Sequence, residues 1–154
     1  MLRQSLCLAA LICTVSNSAE AQANNSARAE VVKFVNAYTD ANNRADVNAM
    51  LEMTSHNPSV SSIANGEITR GWEAIRQDTD DLVGKEGSFR VSVGSMDIAL
   101  LGSMNALVVA PVTLLLATPN GPVGMKGAMT LVLEKKDGRW LLLNEHYSVK
   151  AAEK

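Results

Sequence analysis

From Met104 to Val149 the chain runs as three consecutive strand-like segments. The last ends in Asn144-Glu145-His146-Tyr147-Ser148, where polar and titratable side chains interrupt an apolar pattern. Polar groups are costly to bury unless they are hydrogen-bonded or face a cavity, so the end of that strand predicts a pocket. Ala106 to Thr118 is apolar at odd and even positions alike, which demands cover on both faces. Pro119-Asn120-Gly121-Pro122 and Lys135 to Gly138 supply turns around a strand from Met125 to Glu134, and Arg139 to Val149 follows as the last strand. Before these, Phe89, Val91 and Val93 alternate at period two, then Met96, Ile98 and Leu100 do so in the other phase. The slip near Gly94-Ser95 predicts a β-bulge that bends the strand.

The first half has helical spacing. Val31, Phe34, Val35, Tyr38, Ala41 and Ala45 share one face of a helix from about Ala27 to Asn43, with Ser26 available as its cap. Asp46 caps a second, shorter helix carrying Val47, Met50, Leu51 and Met53, and Pro58 turns the chain after His56-Asn57. Ser59 to Ile63 and Glu67 to Arg70 flank Ala64-Asn65-Gly66 as a short hairpin. A third helix begins near Gly71 with Trp72, Ile75, Thr79 and Leu82 on one face and Gly84 as its end, while Asp78, Asp80 and Asp81 form a solvated surface. The pattern predicts an α+β fold: three N-terminal helices on one face of a curved, mostly antiparallel sheet. Apolar residues on the other face then need a second cover, for which another subunit is the simplest candidate.

Residues 1–23 read as a cleaved secretory signal, with Arg3, an apolar stretch from Leu6 to Val15, and Ala-x-Ala spacing at Ala19-Glu20-Ala21 and Ala21-Gln22-Ala23. Cleavage is expected after Ala21 or Ala23, leaving residues 24–154 as one domain in a secreted or periplasmic compartment. Cys7 and Cys13 both lie within the leader, so the mature chain has no cysteine and depends on its core for stability. The formal charge is −2 and the cations are dispersed, which argues against nucleic acid as a partner. Every later apolar run is broken by polar residues, Gly or Pro, so no membrane helix is expected after cleavage.

Gly66-Glu67-Ile68-Thr69-Arg70-Gly71-Trp72-Glu73-Ala74-Ile75-Arg76 and Gly127-Ala128-Met129-Thr130-Leu131-Val132-Leu133-Glu134, with Gly138-Arg139-Trp140 and Glu145-His146-Tyr147-Ser148, resemble the NTF2-like superfamily in its SnoaL-like, DUF4440-type branch. That resemblance implies a cone-shaped α+β fold shared with cyclases, ketosteroid isomerases and dehydratases. In ketosteroid isomerases a tyrosine of the first helix donates a hydrogen bond to the forming enolate, and Tyr38 matches its position. Ser62 stands where those enzymes carry an aspartate base, and Thr130 where they carry a protonated aspartate. Two of three roles are lost, and a serine without a base beside it does not remove a carbon-bound proton near neutral pH.

His146 is the sharper of the two histidines. On a regular strand it is in phase with Trp140, Leu142, Asn144 and Ser148, and in a pocket it would act as general acid or base; the structural alternative is a ring bonded to backbone or Asn144. Glu145 and Tyr147 then face the other way, with Glu145 expected to pair with Lys126 or Arg139. The expected ligand-lining set is therefore Tyr38, Ser62, Trp72, Thr130 and His146, with His146 and Tyr38 as the catalytic pair if the protein is an enzyme. Trp72 also fits simple core packing, and His56 a solvated loop. No metal is expected, because two distant histidines and no thiol do not make a zinc site, and no cofactor motif is present. The expected ligand is a small apolar or carbonyl-containing molecule, the enzymatic alternative an isomerase, dehydratase or cyclase, and a third possibility a module that assembles with itself or another protein, its cone filled by side chains. A homodimer through the outer sheet face is expected in each case.

Overall fold

The computed structural model describes residues 7–85, 89–118 and 120–151. Helix α1 spans Cys7–Asn43, α2 spans Val47–Glu52, and a hairpin of β1 (Ser61–Ala64) and β2 (Glu67–Arg70) leads to α3 (Trp72–Lys85). Strands β3 (Phe89–Val93), β4 (Asp97–Leu100), β5 (Asn105–Leu116), β6 (Val123–Lys136) and β7 (Arg139–Ala151) complete a curved seven-stranded sheet. Its order is β2-β1-β7-β6-β5-β3, with β4 also on β5. All pairs are antiparallel except β1 with β7. Two helices precede the sheet, and the third follows its first hairpin. Among the described residues no helix is long and apolar enough to cross a membrane.

Helix α1 starts well before Ala27 and passes through Ser26, so Ser26 is not its cap. Neither Gly nor Pro occurs from Cys7 to Asn43, so nothing local stops the helix. Likewise α3 continues past Gly84 to Lys85. Asp46 does cap α2, accepting a hydrogen bond from the Ala49 amide at 3.1 Å. Both expected hairpin turns form, with Asn65-Gly66 and Asp137-Gly138 at positive φ as tight hairpins require.

The core lies between α1 and the concave sheet face. Val31 and Val35 of α1 meet Val108 of β5 and Met129, Leu131 and Leu133 of β6, all almost fully buried. Burying each such side chain contributes roughly 1.5–3 kcal/mol. Polar contacts hold α1 against the sheet within the helix at Glu30 and at its C-terminal end. Glu30 accepts hydrogen bonds from Lys135 Nζ at 2.6 Å and from Trp140 Nε1 at 3.1 Å, which hold its carboxyl below the usual range. Asn43 bonds both backbone groups of Val91, at 2.7 and 2.9 Å, completing the edge of β3 as a strand residue would.

Two irregularities shape the sheet. The phase slip near Gly94 divides β3 from β4: Val93 pairs with Val112 and Asp97 with Val109, leaving three residues opposite two. Pro111 lies opposite this break, and a Cβ at Gly94 would come within 2.8 Å of its ring. A second irregularity falls in β7. Val132 pairs with Asn144 but Leu133 with Leu142, so Leu143 is an extra residue. Before it the even residues Trp140 and Leu142 are buried; after it the odd residues Glu145, Tyr147 and Val149 face inward.

Candidate functional site

The inward residues of β7 beyond the bulge form one wall of a cavity of about 520 Å³. Tyr38 and Asn42 of α1, Ser62 of β1 and Ile75 of α3 contribute other walls, and Phe89, Val91, Val112, Leu114 and Met125 make the rest largely apolar. The close approach of β6 and β7 beside this wall requires Gly127, where a Cβ would lie 1.9 Å from the Ser148 carbonyl oxygen.

Glu145 is the polar centre. Its Oε1 accepts a hydrogen bond from Ser62 Oγ at 2.8 Å and its Oε2 one from Tyr38 Oη at 3.1 Å. Parallel pairing sets Ser62 beside Glu145 across the β1–β7 ladder, while helical spacing turns Tyr38 onto the buried face of α1, where it is 5% exposed and stacks on Phe34. Burial raises the Glu145 carboxyl above its ordinary range, and the bonds from Ser62 and Tyr38 offset only part of that. The Tyr38 hydroxyl is pushed well up, first by burial and then by the Glu145 charge. Tyr147, two residues along the same strand face, is pushed up for the same reasons in the same order. Its hydroxyl has no hydrogen-bond partner among the described residues.

Only part of the expected site set comes together here. Tyr38 and Ser62 line the cavity; His146, Thr130 and Trp72 do not. His146 is exposed on the opposite sheet face, where it pairs with Thr130, so it and Tyr38 do not share a site. The reason is the Leu143 bulge, which reverses the phase that a regular strand would keep from Trp140 to Ser148. By the same reversal Glu145 turns inward to Tyr38 and Ser62 instead of pairing with Lys126 or Arg139. The sequence signal was the run Leu141-Leu142-Leu143, which has no alternation and so leaves room for a change of phase. Trp72 opens α3 and stacks on the exposed His56 at 4.3 Å, with its Nε1 unpartnered among the described residues. Among the described residues no group of three or more His, Cys, Asp or Glu is placed to hold a metal ion.

The geometry combines a half-buried carboxyl, two hydroxyls that orient it and a third hydroxyl open to the cavity. Chemically, it can bind a polar group at the end of an apolar molecule or move a proton to or from one.

A family model described as a SnoaL-like domain matches residues 31–152. No match was found among curated proteins. Among solved structures, a candidate dehydratase of the NTF2-like family from Streptomyces avermitilis superposes with a TM-score of 0.75 at 16% identity, over 83% of this chain and 99% of that one. An NTF2-like superfamily protein from Salmonella enterica serovar Typhimurium gives 0.72 at 17% identity, over 85% and 96%. An NTF2-like protein of unknown function from Shewanella oneidensis gives 0.60 at 23% identity, over 79% and 98%. At these identities the likeness is one of fold.

Proposed function

We propose that this chain, which belongs to the SnoaL-like domain family, binds a small, largely apolar molecule in the cone-shaped hollow between α1, α3 and the inner sheet face. Glu145, Tyr38, Ser62 and Tyr147 supply the polar contacts. The observation that carries this reading is Glu145 itself, a carboxyl held by two hydroxyls on the wall of a largely apolar cavity. A filled interior would leave the remaining lone pairs of this carboxyl unmet, because the two hydroxyls satisfy only part of its acceptor capacity. Secretion or periplasmic export, with removal of residues 1–23, and a homodimer through the outer sheet face belong to the same proposal. Val109 and Leu115 support the dimer, being apolar residues of β5 that are 40% and 46% exposed on that face.

A second reading, supported by the raised Glu145 carboxyl, is proton transfer of the isomerase, dehydratase or cyclase kind. Glu145 would exchange the proton and Tyr147 would donate to a carbonyl oxygen. Both readings move the working group from His146 to Glu145.

The test is a thermal-shift screen of apolar and carbonyl compounds on the native protein and on the Tyr147→Phe and His146→Ala variants. A ligand at a hundredfold excess over its Kd adds about 2.7 kcal/mol of stability. Binding is expected to weaken in Tyr147→Phe and to persist in His146→Ala. No shift with any compound would favour self-association without a ligand.

A further inference from the structure

The hydrogen bonds of the cavity leave an imbalance. Tyr38 and Ser62 both spend their single O–H donors on Glu145, so toward the cavity they offer only lone pairs. Glu145, holding two bonds, retains acceptor capacity of its own. Tyr147 carries the one uncommitted hydroxyl among the described lining residues, and an oxygen of that kind accepts as readily as it donates. Around Glu145 the acceptors therefore outnumber the donors; the lining amides that keep N–H donors are Asn42, whose Nδ2 also donates to the Tyr38 carbonyl oxygen at 2.9 Å, and the exposed Asn65.

Its charge is equally one-sided. Glu67 of β2 and Asp78 of α3 line the exposed side of the same cavity, and no Lys, Arg or His is among its described lining residues. Around the cavity that Glu145 faces, α1 presents Tyr38 and Asn42, β1 and its turn Ser62 and Asn65, β7 Tyr147, β2 Glu67 and Thr69, and α3 Asp78 and Thr79, while α2, β3, β5 and β6 present apolar side chains. A buried carboxylate is ordinarily paired with a cation, and the described lining provides none.

We propose that the ligand is an apolar molecule bearing a protonated amine, whose ammonium group seats against Glu145 as the missing counter-ion. An ammonium has donors and no acceptors, which matches the surplus of acceptors. Tyr38, Tyr147 and Phe89 are among the lining residues, and aromatic rings attract a cation. The carboxylates of Glu67 and Asp78 draw a cation toward the cavity and repel an anion. This inference rests on the binding reading above and narrows its ligand class.

The test uses one skeleton with four head groups: adamantylmethylamine, adamantylmethanol, adamantyl methyl ketone and adamantanecarboxylate. Affinities are measured by calorimetry on the native protein near neutral pH. The amine is expected to bind about tenfold or more tighter than the alcohol and ketone, the scale of one charge-assisted hydrogen bond, and the carboxylate weakest. Lowering the pH through the titration of Glu145 is expected to weaken the amine and leave the alcohol unchanged. In Glu145→Gln the amine preference should disappear. Alcohol or ketone binding as tightly as the amine would overturn the amine class and leave the cavity reading standing. The same class is overturned if the amine preference survives in a folded Glu145→Gln variant. If none of the four binds the native protein, both readings fail together.

Discussion

Replacing Glu145 by Gln keeps the size and shape of the side chain and removes its charge, so it isolates the consequence of burying a carboxyl between Tyr38 and Ser62. In the native protein burial raises that carboxyl above its ordinary value of 4.5, against the opposing effect of two hydrogen bonds at 2.8 and 3.1 Å. Between the ordinary value and the raised one, the folded state therefore holds more protons than the unfolded state. Stability attributable to this group falls as pH rises through that window, and the loss is complete above the folded value. A tenfold difference in proton affinity between the two states corresponds to about 1.4 kcal/mol. The Gln side chain binds no proton in this range and has no such dependence. Relative to the variant, the native protein should lose about 1.4 kcal/mol for every pH unit inside the window and run parallel to it above. Below the window the two should differ by only about 1 kcal/mol, the scale of exchanging one neutral hydrogen-bonding group for another. Urea unfolding followed by the fluorescence of Trp72 and Trp140 at a series of pH values measures the difference. Parallel curves throughout would show that the carboxyl is solvated. A native protein that gains on the variant as pH rises would show that its carboxyl is depressed, and either result refutes the reasoning.

Gly127→Ala should cost about 1–3 kcal/mol or more, read as a lower urea midpoint, since its Cβ can be housed only by moving the backbone at Ser148 and Val149. Unchanged stability would mean that β6 and β7 do not approach closely there. His146→Ala should change stability by no more than about 0.5 kcal/mol, as for other exposed positions away from special features. Val109→Lys places a charge on the outer face of β5; it should convert a dimer to monomer in sedimentation or light-scattering measurements and leave the monomer folded.

Much of the fold was legible because it is written in local periodicity. The buried stripe Val31, Phe34, Val35, Tyr38 and Ala41 repeats at helical spacing, and Tyr38 could be placed in the interior from that alone. Turn chemistry at Asn65-Gly66 and Asp137-Gly138, the cap at Asp46 and the slip near Gly94 were equally local. The ends of α1 and α3 were less so, since Ser26 and Gly84 are compatible with a helix interior when nothing else ends the helix.

The sequence by itself determined that a helical half is followed by an antiparallel sheet, which face of α1 is buried, and that polar groups near the end of β7 need a cavity or partners. Only the tertiary structure decided which of those groups the cavity receives. Leu141, Leu142 and Leu143 are interchangeable as a local pattern, and the one that becomes the extra residue is fixed by the ladder with β6 on either side of it. That choice turns Glu145 and Tyr147 inward and His146 out. Its consequence is a site whose partners, Tyr38 and Ser62, lie 107 and 83 residues away along the chain, at a separation that no local periodicity encodes.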